Sequence, residues 1–409
     1  MNGKEVDDLP RVMMVVPYFP TPVTGGLERQ SHVLSKALVD CGVSVQVLAV
    51  RFNASHLAYD IRDEIVIHRI PWSKSKTLRA FQSAIGVAKI LTKFRNTYDI
   101  VHVHQHSGFG LFALLVCAFL RKPTLIKVPN VAMHGIAAMS NEPLGFLRVA
   151  LFRLAEAAVA ICPQSISELM CIGFARNRVL AVPNGIAVSS GDPLPDRQKT
   201  DASTHKSQTN PCRVVFVGRL DVQKRLEDLL RAWSSVWQEM PDAATLEIWG
   251  EGPLERSLKL QCRRLAIDSS VRFAGHVHDV RERLHEMDVF VLPSEAEGNS
   301  NAMLEAMAAG LPILGTRVGG AEMMVGKEGL PYLVAPGDVD GLARNLKQLV
   351  SNSHLRQELG ERMRGRIENI FDIRNISKVY LEAYRRLVAG RADSVGFLSS
   401  AVVSEYLGP

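Results

Sequence analysis

Two glutamates stand eight residues apart, Glu297 and Glu305, in the segment SEAEGNSNAMLEAMAAGLP that runs from Ser294 to Pro312. Glu297 falls in a glycine-containing turn, Glu297-Gly298-Asn299-Ser300-Asn301, and a helix is predicted over Ala302–Ala309, stopped by Gly310 with Pro312 just beyond. Unpaired N–H groups at a helix start favour an anion. Glu305 shares a helix face with Ala302, Ala306 and Ala309, small enough for a ligand to approach. The segment thus offers an anion site, a carboxylate at its mouth and a second carboxylate further inside. Upstream, GRLDVQKR places Gly218 at the end of a strand and two cations, Arg219 and Lys224, directly after it. Arginine grips phosphate bidentately and lysine acts as a point charge, each charge-assisted hydrogen bond contributing about 1.5–3 kcal/mol. Such a pair facing a helix start neutralises a diphosphate without a metal, so no metal ligand set and no cofactor is expected.

These residues need strands and helices to hold them. Short apolar runs alternate with amphipathic stretches, the pattern of an α/β protein with parallel sheets. Strands are predicted in the first half at Val12–Val16, Val43–Val50, Ile65–Arg69, Ile100–Val103, Leu125–Val128, Ala158–Ile161 and Val179–Val182. Helices are predicted at Gly26–Cys41 and Arg79–Phe94. Ser189 to Pro211 is polar and reads as a linker, after which the alternation restarts. The expected layout is therefore a first domain over 1–188, the linker over 189–211 and a second domain over 212–374. A last amphipathic helix over 375–390 is expected to return to the first domain, ahead of a tail at 391–409. Two doubly wound sheets place a ligand crevice at the carboxyl ends of their strands.

The chain has 409 residues, 47% apolar and 22% charged, which excludes a mainly disordered protein. Its longest apolar run, Phe109 to Leu120, is too short for a bilayer crossing of roughly 20 residues. The N-terminal stretch has no signal-peptide pattern and the six cysteines form no Cys-x-x-Cys pair, so a cytoplasmic protein with reduced thiols is expected. Residues 1–190 carry 20 Lys and Arg against 12 Asp and Glu, and residues 191–409 carry 28 against 30. A basic first half points to an anionic partner. Trp72–Arg95 holds six basic residues, no acid and a helical apolar period, which reads as a helix on an anionic membrane surface or as one whose apolar face packs on the sheet. Aromatic residues are only 6% and do not interleave with basic ones, against a nucleic-acid platform.

The ordered set GRLDVQKR, LEIWGEGP, VRFAGHV, DVFVLPSEAEGNSNAMLEAMAAGLPIL and VGG, over most of 213–340, resembles the nucleotide-sugar domain of retaining glycosyltransferases of family 4, with the GT-B fold. VVPYFPTPVTGGLERQSHVLSKAL, DIVHVH and VLAVPNGI in the first half are similar to the same family. The resemblance implies an α/β chain of two Rossmann-like domains facing each other across a cleft. It implies transfer of a sugar from a nucleoside diphosphate, UDP or GDP, to a hydroxyl of a glycan or lipid-linked acceptor, in surface polysaccharide or glycoconjugate synthesis. Glu297 then contacts the donor sugar near the reacting centre and Glu305 the ribose. Arg219 and Lys224 bind the diphosphate, and Gly298, Asn299, Ser300 and Asn301 supply contacts to sugar and phosphate. His276 and Val277 hold the base, and Gly25 and Gly26 form the loop that closes on the donor.

One departure concerns a histidine that the family often carries after its counterpart of Thr124–Val128. Here the chain continues Pro129-Asn130, leaving His104, Lys127 and His134 as possible acceptor-side groups. Two other readings compete: another GT-B enzyme such as a nucleotide-sugar epimerase, and a non-catalytic partner of a transferase.

Overall fold

A computed structural model of the protein describes residues 9–19, 25–53, 56–129, 131, 135–140, 144–188 and 211–398. The linker at 189–210, His134, Asn130 and the last residues of the tail lie outside them. The chain forms two units, residues 1–187 with 371–409, and residues 188–370. The crossing falls at Phe371, ahead of the expected residue 375.

In the first unit the strands are β1 (Val12–Val15), β2 (Val45–Arg51), β3 (Tyr59–Arg62), β4 (Ile65–Pro71), β5 (Ile100–Val103), β6 (Thr124–Val128), β7 (Ala157–Ala160) and β8 (Val179–Ala181). They form one sheet in the order β3-β4-β2-β1-β5-β6-β7-β8, parallel except for the β3–β4 pair. Val, Ile and Ala runs buried on both faces explain the parallel pairing, with Val12 opposite Val45 and Ile100. β3 was not expected: four largely exposed residues give no apolar run, and the strand exists by pairing with β4.

The helices are α1 (Gly26–Asp40), α2 (Lys76–Lys93), α3 (Gly108–Leu120), α4 (Ile136–Met139), α5 (Gly145–Phe152) and α6 (Pro163–Cys171). α3 contains the apolar run noted above; a helix apolar nearly all round shows no 3.6-residue period to read. Met13, Val15, Val101, Val103, Ile126 and Val128 build a core shared with α2 and α3 residues such as Val87, Leu91 and Leu114.

The second unit carries β9 (Cys212–Val217), β10 (Ala244–Trp249), β11 (Val271–Gly275), β12 (Val289–Leu292), β13 (Ile313–Thr316) and β14 (Leu333–Val334). Its helices are α7 (Leu226–Glu239), α8 (Glu255–Arg264), α9 (Val280–Leu284), α10 (Asn301–Ala308), α11 (Ala321–Gly329), α12 (Val339–Ser351) and α13 (Ser353–Arg366). The sheet order β11-β10-β9-β12-β13-β14 is all parallel and reverses direction between β9 and β12. At such a reversal neighbouring loops leave in opposite directions and open a crevice at the strands' carboxyl ends.

The chain then re-enters the first unit as α14 (Ile373–Val388), whose N-cap Asp372 accepts a hydrogen bond from Arg374 N at 2.8 Å. Ile186 N donates to Phe371 O and Ile373 N to Ile186 O, both 2.9 Å, tying the two crossing segments together. Gly185 permits this approach, since a Cβ there lies 2.8 Å from Ile373 Cδ1. The tail, for which no element was expected, makes a 3₁₀ turn at Ala392–Phe397 that packs on Arg176–Arg178.

Candidate functional site

Four loops follow one another along the carboxyl edge of the second unit's sheet, after β11, β10, β9 and β12. Glycines let them press together. Gly250, at φ 135°, accepts no side chain because a Cβ would lie 1.9 Å from Gly218 O. The glycines of GEGP therefore serve this contact, and Leu220 N donates to Glu251 O at 3.0 Å across it.

After Gly218 the chain makes a 3₁₀ turn, Val222–Lys224, that aims Lys224 at the loop after β12. There Lys224 Nζ donates to Glu297 Oε1 in a close ion pair. Ser294 Oγ donates to the same carboxylate oxygen at 2.7 Å. The two side chains are 18% and 14% exposed, shielded enough for the pairing to matter yet open to a ligand. The loops are stitched by Glu295 N to Gln223 O at 2.8 Å and Gln223 Nε2 to Ala296 O at 2.5 Å. Thr316 Oγ1 supports Ser294 by donating to its carbonyl oxygen, at 2.5 Å. Gly319, at φ 53°, closes the far side: a Cβ there would fall 1.6 Å from Glu297 O. Gly320 N donates to Gly298 O at 2.8 Å.

Lys224 and Glu297 thus straddle the reversal between β9 and β12, with Gly218 beside them: a Cβ on it would be 3.6 Å from Lys224 Cε. Arg219 is 72% exposed and lies 3.7 Å from Asp221, while Lys224 pairs with Glu297. Ser300 caps α10 by accepting from Met303 N at 3.4 Å, and Asn299 and Ser300 are buried. Asn301 is the first residue of α10 and Gly298 lies in the turn before it.

Glu305 is buried on α10 and borders a different space, a pocket of about 390 Å³ that also touches Arg281, His285 and Arg364. His276 N donates to Glu251 Oε1 at 3.3 Å, and Val277 is buried next to it. Ser294, Thr316 and Glu251 are members of the site that sequence reasoning missed. The chain's Asp-x-Asp, Asp338 and Asp340, is a helix start: Asp338 Oδ1 accepts from Gly341 N at 2.8 Å.

In the first unit, Gly25 is the N-cap of α1 and Gly26 its first residue. His104 and Lys127 face inward, not to an open surface, because they lie on the sheet face covered by α14. Lys127 Nζ donates to Asn184 Oδ1 at 2.9 Å, and His102 Nδ1 pairs with Tyr384 OH at 2.8 Å. The His102 and His104 rings lie 4.1 Å apart. Burial pulls the Lys127 ammonium down to about 7. Burial, with neighbouring positive charge from Lys127, holds His102 and His104 well below the usual imidazole range.

Known proteins match most of this chain. Residues 24–190 match the family described as Glycosyltransferase Family 4, and residues 211–352 match Glycosyl transferases group 1. The N-acetyl-alpha-D-glucosaminyl L-malate synthase of Bacillus anthracis is 33% identical over 71% of this chain and 75% of its own. The glycogen synthase of Mycobacterium tuberculosis is 27% identical over 92% of this chain and 95% of its own. Among solved structures, sucrose-phosphate synthase from Thermosynechococcus elongatus superposes with a TM-score of 0.75 at 18% identity, over 93% of this chain and 100% of its own. Anabaena HepE, solved in complex with UDP, gives 0.71 at 18% identity, over 91% and 99%. With two parallel Rossmann-like sheets, a Lys–Glu pair at the strand reversal of the second and these matches, the chain belongs to glycosyltransferase family 4 and is a glycosyltransferase of the GT-B fold.

Proposed function

We propose that the protein moves a sugar from a nucleoside-diphosphate donor to a hydroxyl of a glycan or lipid-linked acceptor, with retention of the anomeric configuration. The observation that carries this reading is the Lys224–Glu297 pair at the β9/β12 reversal, held by Ser294, Gln223 and Gly319. Solved relatives bound to UDP, and to UDP with glucose, support a nucleotide-sugar donor. The donor diphosphate draws Lys224 and the exposed Arg219, and Glu297 faces the sugar as positive charge develops on it. The bond from the sugar's anomeric carbon to the phosphate oxygen breaks with its electron pair going to phosphate. The acceptor oxygen bonds to that carbon on the same face, and its proton passes to the departing phosphate. Glu305 holds the ribose, and the loop carrying His276 and Val277 takes the base. Fixed cations do the work of charge neutralisation, so no divalent metal is required.

The working place we propose is an anionic membrane face on the cytoplasmic side, in surface polysaccharide or glycoconjugate synthesis. No helix among the described residues is long and apolar enough to cross a membrane. Leu78, Phe81 and Ile85 stand exposed on α2, and no Asp or Glu occurs from Ile65 to Tyr98, which supports docking by that helix.

The test is a thermal-shift screen of UDP- and GDP-sugars followed by transfer assays on the hit. A donor at 100 times its dissociation constant raises stability by about 2.7 kcal/mol. The product's anomeric proton should show the donor's configuration, and the rate should survive EDTA. Inverted product, or activity lost with EDTA and restored by Mg²⁺, contradicts the mechanism. A donor that shifts the melt but yields only free epimerised sugar contradicts the transfer itself.

A further inference from the structure

The first unit has its own reversal of strand order, between the parallel neighbours β1 and β5, and a cavity of about 520 Å³ lies at the carboxyl ends of the strands there. It is formed by the residues after β1, β4 and β5 together with one face each of α2 and α3. Its walls are mostly apolar, with Tyr18, Val50, Trp72, Ala84, Phe109 and Phe112 among them; Ser83, Gln105 and Ser107 are polar, and none of the residues lining it is acidic. The Tyr18 ring meets that of Trp72 edge-on at 5.9 Å, which makes the aromatic wall a fixed one. A sugar would leave its hydroxyls unpaired against such walls, whereas burying a methylene chain gains about 0.8 kcal/mol per CH₂.

The lining has one charged member. Arg79 lies with its guanidinium 4.6 Å above the Trp72 ring and has no acidic partner among the described residues. The Ser107 hydroxyl, on the wall where α3 begins, is buried and has no hydrogen-bond partner among the described residues. Leu78, Phe81 and Ile85 continue an apolar track along the exposed side of the same helix that bears Arg79. Mostly apolar walls, one guanidinium with no acidic partner among the described residues, and no lining carboxylate together suit a phosphate-bearing amphiphile.

We propose that this cavity binds the acceptor by its lipid: the apolar chain lies among Trp72, Phe109 and Phe112, and its phosphate meets Arg79. The proposal rests on the transferase reading above and narrows the acceptor to a lipid-linked phosphate. The cavity and Arg79 belong to the first unit and the Lys224–Glu297 pair to the second, so lipid and donor binding are measured independently.

The experiment titrates decyl phosphate, below its micelle concentration, into the full chain and follows tryptophan fluorescence. Octyl glucoside and inorganic phosphate are the comparison probes, and a UDP-glucose melt is run on the same samples. Saturable decyl phosphate binding is expected, with inorganic phosphate failing to compete at equal concentration. Ala84→Phe, which fills the cavity, should weaken it roughly tenfold or more while the UDP-glucose shift stays unchanged. Arg79→Gln should reduce decyl phosphate to the level of octyl glucoside. Should Ala84→Phe fail to fold, Ala80→Leu fills the same space from one turn earlier. Decyl phosphate binding that is absent, or insensitive to both the filling and the arginine substitutions, overturns the proposal. No shift with any of the UDP- and GDP-sugars in the unsubstituted chain counts instead against the donor reading.

Discussion

At the scale of single residues, the central fact is that Glu297 and Lys224 neutralise one another in the donor-free protein. In the proposed reaction, a diphosphate arriving at Lys224 competes for its charge and frees the Glu297 carboxylate, which also accepts from Ser294, to face the sugar. The two cations then differ in what they support. Lys224→Ala removes a charge-assisted contact to the leaving group and strands a half-buried carboxylate, so turnover should fall roughly tenfold or more and the melting temperature should drop. Arg219→Ala alters an exposed side chain with one distant acid, so turnover should fall while the melt stays unchanged. Steady-state kinetics and a calorimetric melt of both variants decide this; normal turnover in both would remove the diphosphate role from this loop. Lys224 and Glu297 were singled out in the sequence by the spacing of their motifs, and the structure brings these two side chains together. The Lys224–Glu297 contact was not legible there, because it joins loops from two strands that only the sheet order makes neighbours. Ser294 and Thr316 were hidden for the same reason, their work being to hold another side chain.

At the scale of elements, α14 and α2 carry the sharpest consequences. α14 covers a cluster of bases, His102, His104 and Lys127, with Tyr380 and Tyr384 above them and Asn184 as the hydrogen-bond partner of Lys127. Between about 7 and the ordinary lysine value of 10.5, the unfolded chain binds a proton that the folded chain lacks. Stability should therefore rise with pH across that window, and Lys127→Met should flatten the rise. The histidines act in the same direction lower down: stability falls as pH drops below the ordinary 6.5 towards their lowered values. Melting curves from pH 5 to 10 for both proteins test this, and an unaltered slope above pH 7 in Lys127→Met would contradict it. Helix α2 gives a different expectation. Liposomes of anionic lipid should co-sediment the protein, at roughly 1 kcal/mol per basic residue, and salt should release it. Replacing Lys74, Lys76, Arg79, Lys89, Lys93 and Arg95 by Gln should abolish the binding; unchanged sedimentation would exclude α2 as the contact. Both helices were legible from their periodicity. β3 was not, since its existence depends on β4, and α3 was seen only as an apolar run.

At the scale of the whole molecule, two sheets of similar design carry different chemistry at their strand reversals. The first presents an apolar cavity with a lone arginine, the second a polar Lys–Glu centre. The alternating pattern of the sequence carried this doubling. The return of the chain to the first unit at Phe371 follows from backbone pairing with Ile186, which a composition scan does not register. The claim that binds these scales together is that Glu297 acts on the reacting sugar whereas Glu305 only holds the donor. An interaction present equally before and in the transition state lowers KM, and one realised only in the transition state raises kcat. The direct measurement is donor affinity and kcat for Glu297→Gln and Glu305→Gln side by side. Glu297→Gln should lose kcat by roughly a hundredfold, about 2.7 kcal/mol, with donor affinity nearly unchanged, and Glu305→Gln should lose mainly affinity. A Glu297→Gln enzyme with kcat intact, or a Glu305→Gln enzyme with kcat lost and affinity intact, would contradict the account.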